Sequence, residues 1–469
     1  MKKSRMLSVF LLTALLVSCG ETASPSETTA PTGDTSANET AAPYEVRDLG
    51  GREFVILARE AEGGYPCEFL AEEETGDVLN DAIYQRNRAV EEALNVKIGV
   101  LTGTRQNMGS EALTYIMSGD HLFDIGLINY LAISTLLPAD GALIPLNDID
   151  TLDLSAKWWD STSLDAFRLT ENTYLAAGTI NLNASTAIYG LLFNQTIVDN
   201  YKLTSPYELV ESGKWTMDEM FSMMQLAEED VNGDSIMDDA DQHGLIASVN
   251  SFQYLFYHAG EEIVKRDSDG VLTINKAQRV YDVVDKILPV NGMYYLHGDG
   301  NTPTLNKYFA NGNALFYQTS LQSTMDLRAM TSDYGIIPGP KADASQDRYY
   351  SPLAASFASL VSIPATNPDP EAAGILLNAL GYYSDQILMP ALYESVLPAK
   401  LARDEASTRM IDIMNDSKMY VINAAFNFGK SNNLYKSVQS AGSNTMASEL
   451  ASYESAIEAA ITDLMAKLK

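Results

Sequence analysis

The chain has 469 residues, enough for two lobes with sizeable cores, and its 46% apolar share is that of an ordinary globular protein. Its 62 acidic residues outnumber 31 basic ones, giving a formal charge of −31. That balance argues against nucleic acid as a partner, because phosphate contacts need Lys and Arg.

In chain order, residues 1–18 have the pattern of a signal peptide. Lys2, Lys3 and Arg5 form a positive start, and Met6 to Val17 is an apolar run too short to span a bilayer as a mature helix. The run ends in Leu16-Val17-Ser18-Cys19, which resembles the lipobox of bacterial lipoproteins. The resemblance implies cleavage before Cys19 and lipidation of its thiol, placing the protein on the extracytoplasmic face of the cell membrane. From Cys19 through residue 43 the chain is rich in Thr, Ser, Ala, Pro, Glu and Gly and lacks large apolar residues. Such a segment cannot bury enough surface to offset its ordering entropy and is expected to be a flexible tether. Cys67 is the other cysteine, so no disulfide framework is available. It is read as a packing residue.

Phe54–Ala58 is a short apolar run expected to form a buried strand. Asp77 is placed to cap a helix whose inner face carries Leu79, Ile83, Val90, Ala93 and Leu94. Val96–Val100 reads as a second strand, Glu111–Met117 as a helix and Phe123–Ile128 as a third strand. This alternation predicts an α/β lobe with a largely parallel sheet. Ligands of such sheets sit beyond the carboxyl ends of the strands, which directs attention to Arg59, Glu60, Asn129 and Tyr130.

A second lobe is expected from about residue 185. Leu191–Asn194, Ala314–Tyr317 and Leu360–Ile363 are strand candidates. Thr216-Met-Asp-Glu219 has the pattern of a capping box opening a helix to about Glu229, with Trp215 beside it as a packing residue. Asn367–Pro370 is a turn launching a helix through about Tyr383, and 444–468 is helical by the spacing of Met446, Leu450, Tyr453, Ile457 and Ile461.

The segment Asp230-Val-Asn-Gly-Asp-Ser-Ile-Met-Asp-Asp-Ala-Asp241 has the oxygen spacing of EF-hand and dockerin-type loops. Asp230, Asn232, Asp234, Asp238 and Asp241 supply side chains, and Ile236 supplies its carbonyl. Ser235 stands where such loops have Gly, and Asp241 where EF-hands have a bidentate Glu. The expected cofactor is a structural Ca2+, since the motif offers no open catalytic position.

Pro206–Thr216, Asp230–Asp234, Asp241–Leu245, Gly312–Tyr317, Tyr334–Pro338, Glu371–Leu377 and Leu392–Glu394 through Arg403–Glu405 occur in an order that resembles one family. It is the solute-binding lipoproteins of bacterial ABC importers, in the carbohydrate-associated group that includes maltose-binding protein. The resemblance implies a two-lobe periplasmic-binding-protein-like α/β fold with a hinge and an interlobe ligand cleft. By it, the first lobe takes 44–183 plus 354–385 and the second takes 186–350 plus 390–469, with crossings near Asn181–Ser185, Tyr349–Ala354 and Met389. It further implies a monomeric protein that captures a sugar or oligosaccharide and delivers it to ABC transporter permease subunits.

Sugars present apolar ring faces and polar edges, so aromatic and hydrogen-bonding side chains near the cleft are the candidate ligand contacts. These are Arg59, Tyr130, Trp158, Trp159, Asn183, Tyr317 and Gln318. Few basic residues mark the expected cleft, which disfavours anionic ligands. A secreted carbohydrate-active enzyme is the alternative, but no GxSxG, HExxH, Walker or GxGxxG motif occurs. The four histidines, His121, His243, His258 and His297, are isolated in sequence. A ligand-presenting subunit of a sensor system uses the same fold and is the second alternative.

Overall fold

The apolar runs and helical stretches of residues 52–129 assemble as a sheet covered by helices. The computed structural model of the chain describes residues 42–62, 64–292, 294–295, 302–327, 330, 332–396 and 405–468. The expected signal peptide, Cys19, nearly all of the 19–43 tether, His297 and Arg403 lie outside the described residues. Residues Tyr44–Lys469 form one compact unit.

The first sheet runs in the order Val96–Gly103, Arg52–Arg59, Ile125–Asn129, Ser359–Pro364, Leu143–Ile144. Its first three strands are parallel, and Ser359–Pro364 lies antiparallel to Ile125–Asn129. The helix Val78–Leu94 connects the first two strands in sequence. Asp77 caps it by accepting from the amides of Leu79 and Asn80, a contact worth about 1 kcal/mol. It ends where Asn95 takes a left-handed conformation, φ 49°. Leu79, Ile83, Val90 and Leu94 are buried on its inner face, each contributing about 1.5–3 kcal/mol.

The second sheet has the order Tyr334–Ile337, Tyr189–Asn194, Ala314–Ser320, His243–Ala247, Tyr294–Tyr295. Its first two pairings are antiparallel and the last two parallel. The strand His243–Ala247 is not marked by a long apolar run, because it opens with His243 and Gly244, yet all five of its residues are buried. The capped helix is Met217–Ala227, and Thr216 accepts from the Glu219 amide at 3.4 Å. Trp215 is fully buried and donates its indole N–H to the Pro338 carbonyl at 2.9 Å, as befits a packing residue.

Ser359–Pro364, the last strand of the first sheet, follows the second-lobe strands in sequence, so the chain returns to the first sheet after building the second. The helix Pro370–Tyr383 then covers the first sheet, and the chain departs again into the C-terminal helices, of which Met446–Lys467 is the longest. That helix buries Met446, Leu450, Ile457, Ile461 and Leu464, while Tyr453 is only partly buried.

The indole of Trp158 lies against the backbone of Gly381, where a Cβ would fall 2.2 Å from its Cδ1. No side chain fits there, and the ring finds an edge contact with Tyr382, centroids 6.3 Å apart. Gly381→Ala is expected to lower the urea unfolding free energy by about 1–3 kcal/mol through overpacking. An unchanged midpoint would show that this contact is loose.

Candidate functional site

The strand Arg52–Arg59 ends at a guanidinium, and the loop beyond it folds into a narrow turn. Glu62 and Tyr65 exchange backbone hydrogen bonds of 3.1 Å in both directions. This brings Tyr65 onto Phe357, which lies just before the returning strand. The rings stack with centroids 4.3 Å apart and planes 7° apart. Two cations flank Phe357, with the Arg59 guanidinium 5.3 Å and that of Arg105 5.5 Å from its centroid.

Glu62 joins the two arginines. Arg105 donates to its carboxylate from Nε at 3.0 Å and Nη2 at 3.2 Å, and Nη1 of Arg59 lies 3.5 Å away. Hydrogen bonds from Arg105 hold the Glu62 carboxyl below its ordinary range. Arg59 is 2% exposed, and none of its guanidinium nitrogens has a hydrogen-bond partner. Burial lowers its pKa, opposed by the carboxylates of Glu68 and Glu62. Glu68 is fully buried, and desolvation pushes its carboxyl up. Its Oε1 accepts from the Asn183 amide at 2.8 Å and the Ser359 hydroxyl at 2.9 Å, while Oε2 is unpartnered.

The second lobe faces this array with its own stacked pair. Tyr189 opens a strand of the second sheet and lies on Tyr254 at 3.6 Å between centroids. The hydroxyl of Ser320, at the end of the strand Ala314–Ser320, is 2.9 Å from that of Tyr65. Between the lobes is a cavity of about 340 Å3, lined by Glu62, Tyr65, Arg105 and Phe357 on one side and Tyr189, Ser320 and Gln322 on the other. A larger hollow of about 530 Å3, near Asp239, Lys307 and Tyr308, is lined by second-lobe residues alone. The smaller cavity is the candidate site because both lobes line it and aromatic faces meet hydrogen-bonding groups there.

No protein-family model and no curated protein sequence matches the chain. Solved structures do. A cyclo/maltodextrin-binding protein complexed with maltotetraose superposes with a TM-score of 0.58 at 14% identity, covering 89% of this chain and 97% of that one. The ABC substrate-binding protein Lmo0181 from Listeria monocytogenes, in complex with cycloalternan, gives 0.54 at 14% identity, covering 88% and 98%. The maltose/maltodextrin-binding domain MalE from Bdellovibrio bacteriovorus, bound to maltotriose, gives 0.52 at 15% identity, covering 89% and 98%. The fold is that of the two-lobed solute-binding proteins.

Within that fold the residues singled out from the sequence divide. Arg59 lies beneath the Tyr65–Phe357 pair. Asn183 is held against Glu68 and Pro66, its Oδ1 unpartnered. Gln318 is two residues before Ser320 on the same face of its strand, buried, with Nε2 unpartnered.

The other four are buried in packing positions and are not among the residues lining the cavity. Strand alternation turns Tyr317 away from Gln318 and Ser320, and its hydroxyl donates to Asn306 at 3.0 Å. Tyr130 is 1% exposed, and its hydroxyl donates to the Val421 carbonyl at 2.6 Å. Trp158 and Trp159 are buried in the core of the first lobe, so neither indole offers a face to the cavity. Sequence reasoning passed over Tyr65, Arg105, Tyr189, Tyr254, Ser320, Gln322 and Phe357. The turn-forming Gly63-Gly64 before Tyr65 was the one available signal.

The acidic loop lies apart from this cavity. Asp230 accepts from the amides of Gly233 and Ser235, both at 2.7 Å. Asn232 accepts from the Asp234 amide, Asp234 from Ile236 and Asp238 from Ala240, all at 2.8 Å. Asp241 is buried and accepts from the amides of Val231 and Asp238. Ser235 adopts φ 66°, the left-handed turn at the position where calcium loops carry Gly. Among the described residues no group of three or more His, Cys, Asp or Glu converges as a metal cluster.

Arg59 is the buried cation beside the carboxylates of Glu68 and Glu62, and removing one member of a buried charged set leaves the others uncompensated, at a cost of about 3–5 kcal/mol. Arg59→Met is therefore expected to lower the unfolding free energy of the ligand-free protein by about 3 kcal/mol or more in urea titration. An unchanged midpoint would show that Arg59 does not compensate those carboxylates.

Proposed function

We propose that this protein is the solute-capturing component of an ABC importer, closing its lobes on a sugar and delivering it to membrane permease subunits. The observation that carries this reading is the cavity lined from both lobes by stacked aromatic rings and hydrogen-bonding side chains. An aromatic face suits the apolar face of a sugar ring, and Arg105, Gln322 and Ser320 suit its hydroxyl edges. Glu62 offsets the nearby guanidinium charge, which fits an uncharged ligand. Ligand bound between the lobes favours the closed arrangement by its contacts to both. The solved neighbours of the same fold were crystallised as binding proteins with oligosaccharides, which supports a binding role over an enzymatic one.

Thermal unfolding of residues 44–469 against a sugar panel tests the proposal. A ligand at a hundred times its dissociation constant adds about 2.7 kcal/mol to the folded state. A sugar-specific rise in Tm without turnover is the expected result. Turnover of that sugar would overturn the binding role, and no rise with any sugar would overturn the ligand class.

The reading includes a lipid on Cys19, holding the protein at the extracytoplasmic membrane face. Cys19→Ala should move the protein from the membrane to the soluble fraction, and retention at the membrane would refute it. It also includes structural calcium in the 230–241 loop, whose donors are all the hard oxygens calcium takes. Calcium should raise Tm in the parent, and Asp230→Ala with Asp234→Ala should abolish the rise. An equal rise in the variant would place calcium elsewhere.

A further inference from the structure

The two lobes already touch at one place within the cleft. Tyr65 Oη and Ser320 Oγ are 2.9 Å apart, and the Gln322 side-chain amide donates to the Gly64 carbonyl. Both contacts join the turn after the first-lobe strand to the end of a second-lobe strand. Gly64 has φ +83°, and a Cβ on it would lie 3.2 Å from the Gln322 nitrogen and 3.5 Å from the Asp326 carboxylate. The tip of the turn is thus seated directly on the second lobe, at a left-handed backbone position that favours glycine.

This bridge stands where three hollows meet. The candidate site of about 340 Å3 shares Tyr65 with a second hollow of about 470 Å3 that extends past Pro66, Asp77 and Met325. A third, about 430 Å3, reaches from Gly64 along Lys307 and Asp326. The first and second hollows share Glu62 and Tyr65, and the second and third share Gly64, so residues of the bridging turn line all three. The compartment lined by Tyr65, Phe357 and Tyr189 lies near the lower end of the range for small-molecule sites, about 300–1,000 Å3.

Resting on the sugar-binding reading, we infer that the Gly64–Gln322 and Tyr65–Ser320 contacts set the length of the ligand, admitting one or two sugar rings and excluding longer chains. A linear tetrasaccharide would have to run through the bridge. It binds only by giving up the two interlobe hydrogen bonds.

Calorimetric titration with matched mono-, di- and tetrasaccharides of glucose, galactose, mannose and xylose tests this. In the series that binds, the parent is expected to prefer the mono- or disaccharide to the tetrasaccharide by at least about tenfold, as two hydrogen bonds of ordinary net strength would supply. Tyr65→Phe, which removes the bond to Ser320 and keeps the ring stacked on Phe357, should tighten the tetrasaccharide by about threefold or more while the mono- and disaccharide affinities stay as in the parent. A tetrasaccharide bound by the parent as tightly as the disaccharide would overturn the inference and leave the sugar reading intact. So would a tetrasaccharide affinity unchanged in the folded Tyr65→Phe variant. Failure of every sugar at every length would overturn the reading and the inference together. Should the variant not fold, the parent ratio alone decides.

Discussion

Much of the architecture converges on the carboxylate of Glu68. Its side chain accepts from the Asn183 amide, at the segment leading into the second lobe, and from Ser359, at the strand that returns from it. Its own carbonyl accepts from Arg86 of the first helix at 2.8 Å. Burial lowers the Arg86 pKa to about 9, and the nearby Glu68 carboxylate opposes that shift. One residue therefore fastens the loop after the first strand, the covering helix and two passages between the lobes. Removing one partner of such a buried set leaves another charge uncompensated, which is why its members are held as a group.

The site grows from that fastening. With the stretch from Pro66 to Phe69 pinned by Asn183, Arg86 and Asn87, the preceding turn carries Glu62, Gly64 and Tyr65 into the cleft. The aromatic pairs come one from each lobe, so each pair is held by contacts within its own lobe. The unpartnered polar atoms of Arg59, Glu68, Asn183, Gln318 and Gln322 belong to residues within or just beneath this region. Buried groups of that kind call for partners such as ordered water or ligand hydroxyls.

What the sequence disclosed depended on how local the determinant was. The helix Val78–Leu94 was readable from Asp77 and its apolar face, and the helix after Thr216 from its capping pattern. Arg59, Asn183 and Gln318 were picked out from strand ends and a crossing, which are local features, and none of the three is among the residues lining the cavity. Phe357 and Tyr65 meet only after the chain has built the second sheet, so nothing near either residue announces the pair. Trp158 and Trp159 misled because Lys157 and Asp160 give them polar neighbours, while the slot for Trp158 is made by the missing side chain of Gly381.

The distribution of indoles carries a spectroscopic consequence. Trp158 and Trp159 are sealed in the first lobe and Trp215 in the second, and these three are all the tryptophans in the chain. The cavity itself is faced with tyrosine and phenylalanine. Tryptophan emission therefore reports the integrity of the two cores, through different residues in each. An optical signal for events in the cleft has to come from the tyrosines or from a label placed there.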